Sequence, residues 1–123
     1  MGDGSLVKRD SLTIPMPDLL RALTSNIGKK LTSFIARADD TEVIASWIAG
    51  EPLPGDVDKR LRLAYQIVMT LTIHDSPAVA QTWLMGINPE LGDRCPIRLL
   101  KEANLEDEAA LIVGAARTFA AFG

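Results

Sequence analysis

The sequence has almost none of the side chains on which most enzymes and metal sites depend. Among 123 residues there is one cysteine and one histidine. A single cysteine excludes an internal disulfide and fits a reducing cytoplasm, and one Cys with one His cannot complete a tetrahedral zinc site. No glycine-rich phosphate loop is present either. The glycines are isolated from one another, and single turns are predicted at Gly50, Gly55, Gly86 and Gly92.

Long apolar runs and an excess of positive charge are also missing. Polar residues interrupt each apolar run well short of the roughly 20 residues that cross a bilayer, so we expect a cytoplasmic protein without a membrane partner. Residues 1–62 carry nine basic and nine acidic side chains, and residues 63–123 carry four and seven. Since an autonomous nucleic-acid binder usually has a basic surplus, DNA binding would need a local patch or an oligomer.

The few residues that could support catalysis are isolated from one another. His74 lies beside Asp75 at a predicted helix end, and Cys95 precedes Pro96 at a predicted helix start. A thiol near a helix N-terminus can have a lowered pKa, but no histidine accompanies it in the pattern of a catalytic pair. We interpret both residues as structural and expect no enzyme activity, no metal and no cofactor.

What the sequence does contain is helical periodicity. Apolar residues make up 47% and aromatic residues 5%, so the core must consist mainly of Leu, Ile, Val and Ala. Their spacing favours helices throughout and nowhere alternates as in a strand. We therefore predict an all-α bundle of six to seven helices, with a flexible lead-in (1–17), a helix-turn-helix-like region (18–55) and a C-terminal partner-binding region (56–123).

Turn and capping residues divide the predicted helices. Gly28 is predicted to form a turn between the first two helices. Ser76 and Pro77 together are typical of a helix start, with Ser as the cap and Pro at the first helical position. The longest predicted helix, 57–73, has one apolar stripe, which consists of Leu61, Ala64, Ile67, Val68 and Leu71.

Residues 31–50 resemble a helix-turn-helix unit, with a turn at Asp39 and Asp40. In such units the second helix enters the major groove and its exposed side chains contact the bases. Here the exposed positions offer few donors, and the alternative is a helix pair that serves only the fold. The candidate DNA-binding residues are Lys29, Lys30, Arg37, Thr41 and Ser46.

The C-terminal half carries a more specific pattern. Residues 83–100 read WLMGINPELGDRCPIRLL, which combines Trp-Leu, Asn-Pro-x-Leu, Gly-x-Arg, and then a proline before a Leu-Leu helix. This order and spacing resemble the signature of the Xre/MbcA/ParS family of antitoxins, and the resemblance covers roughly residues 18–123. Two features depart from it: Cys95 replaces a hydroxyl cap, and residues 115–123 are unusually rich in alanine.

The resemblance implies a partner. Members of this family pair with RES-domain toxins, which consume NAD or transfer ADP-ribose from it, and the antitoxin obstructs the active-site cleft with its C-terminal part and tail. It also implies a homodimer and binding of promoter DNA by the Xre-like part, so a helix-turn-helix repressor is the alternative function. The candidate toxin-binding residues are Asn88, Pro89, Asp93, Arg94, Arg117, Phe119, Phe122 and Gly123.

For several of these residues the sequence leaves two interpretations open. An aromatic side chain near a chain end costs hydration free energy unless something buries it. For Phe119 the protein's own core and a partner are both possible, whereas for Phe122 we favour the partner. Arg94 either contacts the partner or bonds local carbonyls, and Arg117 either pairs with carboxylates of a nucleotide-binding cleft or is a solvated cation near a helix C-terminus.

Overall fold

The structure is a computed structural model that describes the backbone of residues 2–122 and the side chains of residues 7–122. Over this range it has seven α-helices and no β-strand, which confirms the predicted all-α class. None of the described helices is both long and apolar enough to cross a membrane. The helices are α1 (Gly2–Thr13), α2 (Met16–Ala36), α3 (Glu42–Ile48), α4 (Gly55–Thr72), α5 (Pro77–Met85), α6 (Pro96–Glu102) and α7 (Leu105–Phe122), with a 3₁₀ turn at Pro89–Leu91.

Helix α4 is the centre of the bundle. It packs against α1, α2, α5, α6 and α7, and the predicted apolar stripe of this helix is fully buried. Residues outside the stripe, including Val57, Leu63 and Tyr65, are buried as well, as expected for a helix enclosed on all sides. One hydrophobic cluster draws on helices before and after residue 55, so the predicted 18–55 and 56–123 regions share a core.

A buried arginine on α4 forms hydrogen bonds with the C-terminal end of α6. The Arg60 guanidinium donates to the carbonyl oxygens of Leu100 and Ala103, both at 2.8 Å. These carbonyls belong to the last turn of α6, where helix geometry leaves them without intrahelical donors. Asp56, one turn earlier on α4, orients the arginine through a 2.7 Å bond to its Nε, and this bond lowers the pKa of the Asp56 carboxyl.

The N-terminal segment differs from the predicted flexible lead-in, because most of it forms α1. Arg62 of α4 donates to the carbonyl oxygens of Ser11 and Ile14, at 3.0 and 2.9 Å. The Tyr65 hydroxyl donates to the carboxylate of Asp10. The sequence of this segment has a weak apolar pattern, so contacts with α4, rather than helical amphipathicity, hold α1 in place.

The predicted turn and capping residues act largely as expected. Gly28 has φ 85° and ψ 164°, which bends α2 into two parts at the predicted turn. Ser76 accepts a 3.3 Å hydrogen bond from the amide of Val79, which confirms it as the cap of α5. Cys95 occupies the N-cap position of α6 but makes no capping bond; its thiol donates instead to the carbonyl of Leu84, at 3.2 Å.

Candidate partner-binding surface

The loop that carries the predicted toxin-binding motif is held in shape by its own hydrogen bonds. The amide of Asn88 donates to the carbonyl of Arg94, and the amide of Asp93 donates to the carbonyl of Asn88. The Asn88 side-chain oxygen accepts from the amide of Glu90, at 2.9 Å. Leu91, with no exposed surface, anchors the loop in the core. The backbone of this loop is therefore ordered before any partner arrives.

Arg94 ties this loop to the first turn of α7. Its Nε donates to the carbonyl of Leu91 at 2.6 Å, and its two terminal nitrogens contact the carboxylate of Glu108 at 2.6 and 3.2 Å. The hydrogen bonds raise the pKa of Arg94 and lower that of Glu108. Of the two interpretations of Arg94, the structure shows the bond to a local carbonyl, and Arg94 and Asn88 shape the loop internally.

Other residues of this region point to the outside. Pro89, Glu90 and Asp93 are exposed. Met85 and Ile87, which are 54% and 74% exposed, were not among the residues expected from the sequence. Helical spacing could have identified Met85, because at about 100° per residue it falls outside the buried side of α5, which consists of Ala80, Trp83 and Leu84. We call this exposed set the loop surface; it consists of Met85, Ile87, Pro89, Glu90 and Asp93.

Helix α7 exposes a face with very little charge. Its buried side consists of Ile112, Ala115 and Ala116. A helix at a protein surface normally carries charged and polar residues opposite its buried side, yet Arg117 is the one charged residue between positions 109 and 122. We call the exposed residues of this face the helix surface; they are Ala110, Leu111, Gly114, Arg117, Thr118, Ala121 and Phe122.

The two terminal phenylalanines have different environments. Phe119 is half-buried and lies against Trp83, with ring centroids 6.4 Å apart, so the protein's own core accounts for it. Phe122 is 88% exposed and has no such neighbour in the described part of the chain. Arg117 is exposed and has no ion-pair partner among residues 7–122. Gly123 lies outside the described residues.

The described toxin-binding candidates fall into two groups. Asn88, Pro89, Asp93 and Arg94 lie in the loop, which Arg94 joins to Glu108 in the first turn of α7, whereas Arg117, Phe119 and Phe122 lie in the last turns of this helix. The rise of an α-helix, 1.5 Å per residue, places Phe122 roughly 20 Å from Glu108 along the axis.

The predicted DNA-reading helix, α3, carries no basic side chain. Its one charged residue is Glu42, which would repel a phosphate. The Ser46 hydroxyl is exposed, but it donates to the carbonyl of Val43 at 2.8 Å. Glu42, Ala45 and Ser46 are the exposed side chains of α3, so this helix offers a base edge few donors.

The other candidate DNA-binding residues lie beside α3 and only partly cluster. Lys30, Arg37 and Thr41 line one groove between α2, the turn that follows it, and α6. Lys29 is exposed outside this groove, as is Ser46. The structure therefore brings together three of the five candidates.

The residues considered for catalysis have ordinary surroundings. His74 is exposed after the end of α4, and Cys95 is half-buried. No group of three or more His, Cys, Asp or Glu side chains in the described part of the chain converges in a way that could hold a metal ion.

Comparison with protein-family models, with curated proteins and with solved structures gives no match to this chain. The link to the Xre/MbcA/ParS antitoxins therefore depends on the motif of residues 83–100. To that motif the structure adds an ordered loop and a helix with an exposed apolar face.

Proposed function

We propose that this chain is the antitoxin of a type II toxin–antitoxin pair. It binds a RES-domain toxin, an enzyme that consumes NAD or transfers ADP-ribose from it, and occludes the active site with its C-terminal part. The observation that carries this proposal is the helix surface: the exposed face of α7 beyond its acidic first turn, with a single charge over residues 109–122, ending at an almost fully exposed Phe122. A contiguous exposed apolar face is typical of a protein interaction site.

Two residues of the helix surface have the chemistry of interface anchors. Aromatic residues and arginine are enriched in the buried centre of interfaces, and they dominate the energy of many complexes. Burying the side chain of Phe122 would contribute about 2 kcal/mol from apolar area alone. Arg117 adds a planar donor for a carboxylate of the partner. Phe122 is thus the anchor of this surface, and Arg117 orients it.

The loop surface provides a second, preorganised contact. Its backbone is fixed by the bonds of Asn88 and Arg94, so little loop entropy is lost on binding, which favours affinity. Met85 and Ile87 supply exposed apolar area. A partner that covers both surfaces must span the length of α7. An interface of ordinary size, about 800 Å² on each side, is large enough for this.

The test is a growth assay in which this chain is co-expressed with a RES-domain toxin, which the proposal expects to be encoded by an adjacent gene. Deleting residues 118–123, or substituting Phe122→Ser, should remove most of the protection against the toxin. Leu12→Ser is the matched control, because Leu12 is a 64% exposed apolar residue on α1, far in sequence from both surfaces. Thermal unfolding should show that the two serine variants remain folded, since neither removes a buried side chain. The deletion also removes Phe119, which packs on Trp83, so its melting temperature should be lower, and Phe122→Ser is the variant that isolates the exposed anchor.

Three outcomes would count against the proposal. Full protection by the deletion variant would remove the tail from the mechanism. If the purified proteins form no complex, the antitoxin function itself is wrong. Unaided turnover of NAD by this chain would replace it with an enzyme function.

The alternative, a promoter-binding repressor, has less support because α3 lacks basic residues. The resemblance also implies a homodimer, which would double any DNA-binding surface. A gel shift with the promoter of the native operon, with and without toxin, tests the repressor function, and light scattering tests the dimer. Absence of a shift in both conditions would exclude the repressor.

A further inference from the structure

A groove beside the start of α3 is lined by several cationic side chains, as an anion site would be. It has a volume of about 370 Å³ and lies between the second half of α2, the turn before α3, and α6. Three of its residues are cations from two distant segments of the chain. The residues that line the groove are Lys30, Ser33, Phe34, Arg37, Ala38, Asp39, Asp40, Thr41 and Lys101.

One residue of this groove has an unused polar group. Ser33 is 6% exposed, and its hydroxyl is the one buried side-chain oxygen or nitrogen without a hydrogen-bond partner in the described part of the chain. The neighbouring Thr32, also buried, bonds back to the carbonyl of Gly28 at 2.8 Å, as helical Ser and Thr often do. A buried hydroxyl without a hydrogen-bond partner destabilises a fold. The Ser33 hydroxyl therefore keeps a free donor for a ligand in the groove.

The cations of the groove keep free donors. The Lys101 ammonium lies 4.2 Å from the centre of the Phe34 ring, and no carboxylate is within ion-pair distance of it or of Lys30 among residues 7–122. Arg37 donates through Nε to the Lys101 carbonyl at 2.7 Å. It also lies 3.8 Å from Asp56, but a guanidinium has five N–H donors, so several remain for a ligand.

The acids of the groove offset only part of this charge. The Asp40 carboxylate accepts from the amides of Glu42 and Val43, at 2.9 and 3.3 Å, and so serves the start of α3. Asp39 is exposed. Among the residues that line the groove, three cations against two carboxylates leave one positive charge; Asp56, which pairs with Arg37, lies outside this lining.

We propose that this groove binds a phosphate-type oxyanion, held by Lys30, Arg37 and Lys101 with the Ser33 hydroxyl as a further donor. Charged donors that converge from different segments are the usual partners of phosphate. The phosphate group belongs either to a small phosphorylated molecule or to a nucleic-acid backbone. This inference does not depend on the proposed antitoxin function, because neither the loop surface nor the helix surface takes part.

The test is a titration of the isotope-labelled protein with inorganic phosphate at constant ionic strength, followed by amide NMR signals. We expect saturable shifts at residues 33–41 and 101. The double variant Lys30→Met, Lys101→Met should weaken binding at least tenfold, since a charge-assisted hydrogen bond contributes about 1.5–3 kcal/mol. The control is Lys29→Met, Lys59→Met, which removes the same charge from two exposed lysines outside the groove.

A third variant separates a ligand role from a structural one. Ser33→Ala should weaken phosphate binding severalfold while leaving the melting temperature unchanged or higher, because it removes an unpaired buried hydroxyl. Three results would overturn the proposal: no saturable shifts with either inorganic phosphate or the DNA duplex described below, equal weakening by the control lysine pair, or binding that is insensitive to Ser33→Ala.

A parallel titration with a short random-sequence DNA duplex identifies the source of the phosphate. Shifts at the same amides that disappear in the Lys30→Met, Lys101→Met variant would assign the groove to a nucleic-acid backbone, with the steep salt dependence of phosphate contacts. Phosphate binding without any response to the duplex would assign it to a small phosphorylated ligand. Both results support oxyanion binding, whereas failure of both titrations overturns it.

Discussion

At the scale of single residues, the loop surface contains a backbone conformation that its sequence does not favour. Asp93 has φ 60°, directly after Gly92 with φ 69°. The left-handed region costs an L-residue about 1–2 kcal/mol, and the exposed Asp93 side chain makes no hydrogen bond within residues 7–122. The amide of Asp93 donates to the carbonyl of Asn88, so the backbone bonds of the loop hold this conformation, and aspartate tolerates it better than most L-residues.

We therefore expect Asp93→Gly to stabilise the isolated protein. Glycine adopts positive φ freely, and after its greater loss of entropy on folding the net gain is about 0.5–1 kcal/mol. Urea unfolding measures the change. Glu90→Gly is the control, since Glu90 lies in the 3₁₀ turn without positive φ and its replacement should destabilise the protein. A lower stability for Asp93→Gly would show that the aspartate supports the fold.

A second prediction at this scale concerns alkaline pH. Burial and the hydrogen bond to Asp10 raise the pKa of Tyr65 from 10.0 to about 12. The folded state thus holds this proton more tightly than the unfolded state, so the contribution of Tyr65 to stability is complete below pH 10 and is lost as the pH rises through about 12. Tyr65→Phe should flatten this part of the stability profile, measured by urea unfolding at successive pH values.

The ionisation of Tyr65 can be followed directly by absorbance. Tyr65 is the only tyrosine, so ultraviolet absorbance follows its ionisation without interference from another phenol. An ordinary tyrosine titration in the folded protein, or an unchanged stability profile in Tyr65→Phe, would contradict the prediction.

Residue roles in the loop were only partly predictable from the sequence. The motif placed Asn88 and Arg94 in a loop, and that placement is correct. Their hydrogen-bond partners were not predictable, because Glu108 lies 14 residues beyond Arg94 in the chain and only the packing of α7 brings the two together. Two residues that appeared suitable for a partner therefore act first within the fold.

At the scale of helices, the bundle is joined by arginines that reach the open ends of neighbouring helices. Arg60 and Arg62 each follow an aspartate by four residues, Asp56 and Asp58, a spacing that places acid and base on one side of a helix. Each arginine donates to carbonyls of another helix or its end. This arrangement satisfies backbone acceptors that would otherwise lack donors.

Arg60→Met should consequently lower the free energy of unfolding by about 2–4 kcal/mol, since two carbonyls at the end of α6 lose their donors. Arg60→Lys should recover only part of this loss, because an ammonium cannot reproduce the planar arrangement of donors. Urea unfolding gives the comparison. Arg21→Met is the control: Arg21 forms an exposed pair with Asp18, and its loss should change stability by less than about 1 kcal/mol. Equal effects at the two positions would contradict the role of Arg60.

The same long-range contacts explain which helices could be predicted. Ser76 marked the start of α5 because capping acts within a few residues, and Gly28 marked the bend in α2 for the same reason. Helix α1 was missed because its anchor, Arg62, lies 51 residues after Ser11. Local chemistry identifies helix ends, whereas a helix that depends on a distant anchor has no local signal.

At the scale of the whole molecule, α4 places the two candidate interaction surfaces in a fixed relation. It contacts both α5, which leads into the loop, and α7, and all three contribute to one hydrophobic cluster. The sequence favoured a partner contact for Phe122 but left Phe119 open between the core and a partner, since both are aromatic residues near the end of an alanine-rich helix. Only the position of Trp83 shows that Phe119 packs inward. A partner therefore meets one rigid body with two separate contacts.

We predict additive effects at the loop surface and the helix surface. Ile87→Ser and Phe122→Ser change exposed residues on different elements, the loop after α5 and the last turn of α7. For two sites that share no contact, the losses of affinity for the proposed toxin should add within about 0.5 kcal/mol in the double variant. Calorimetric titration of the purified toxin with the four proteins measures this. An Ile87→Ser variant that binds as well as the unmodified chain would restrict the interface to the helix surface. A large departure from additivity would mean that binding changes the packing between the loop and α7, contrary to a preorganised surface.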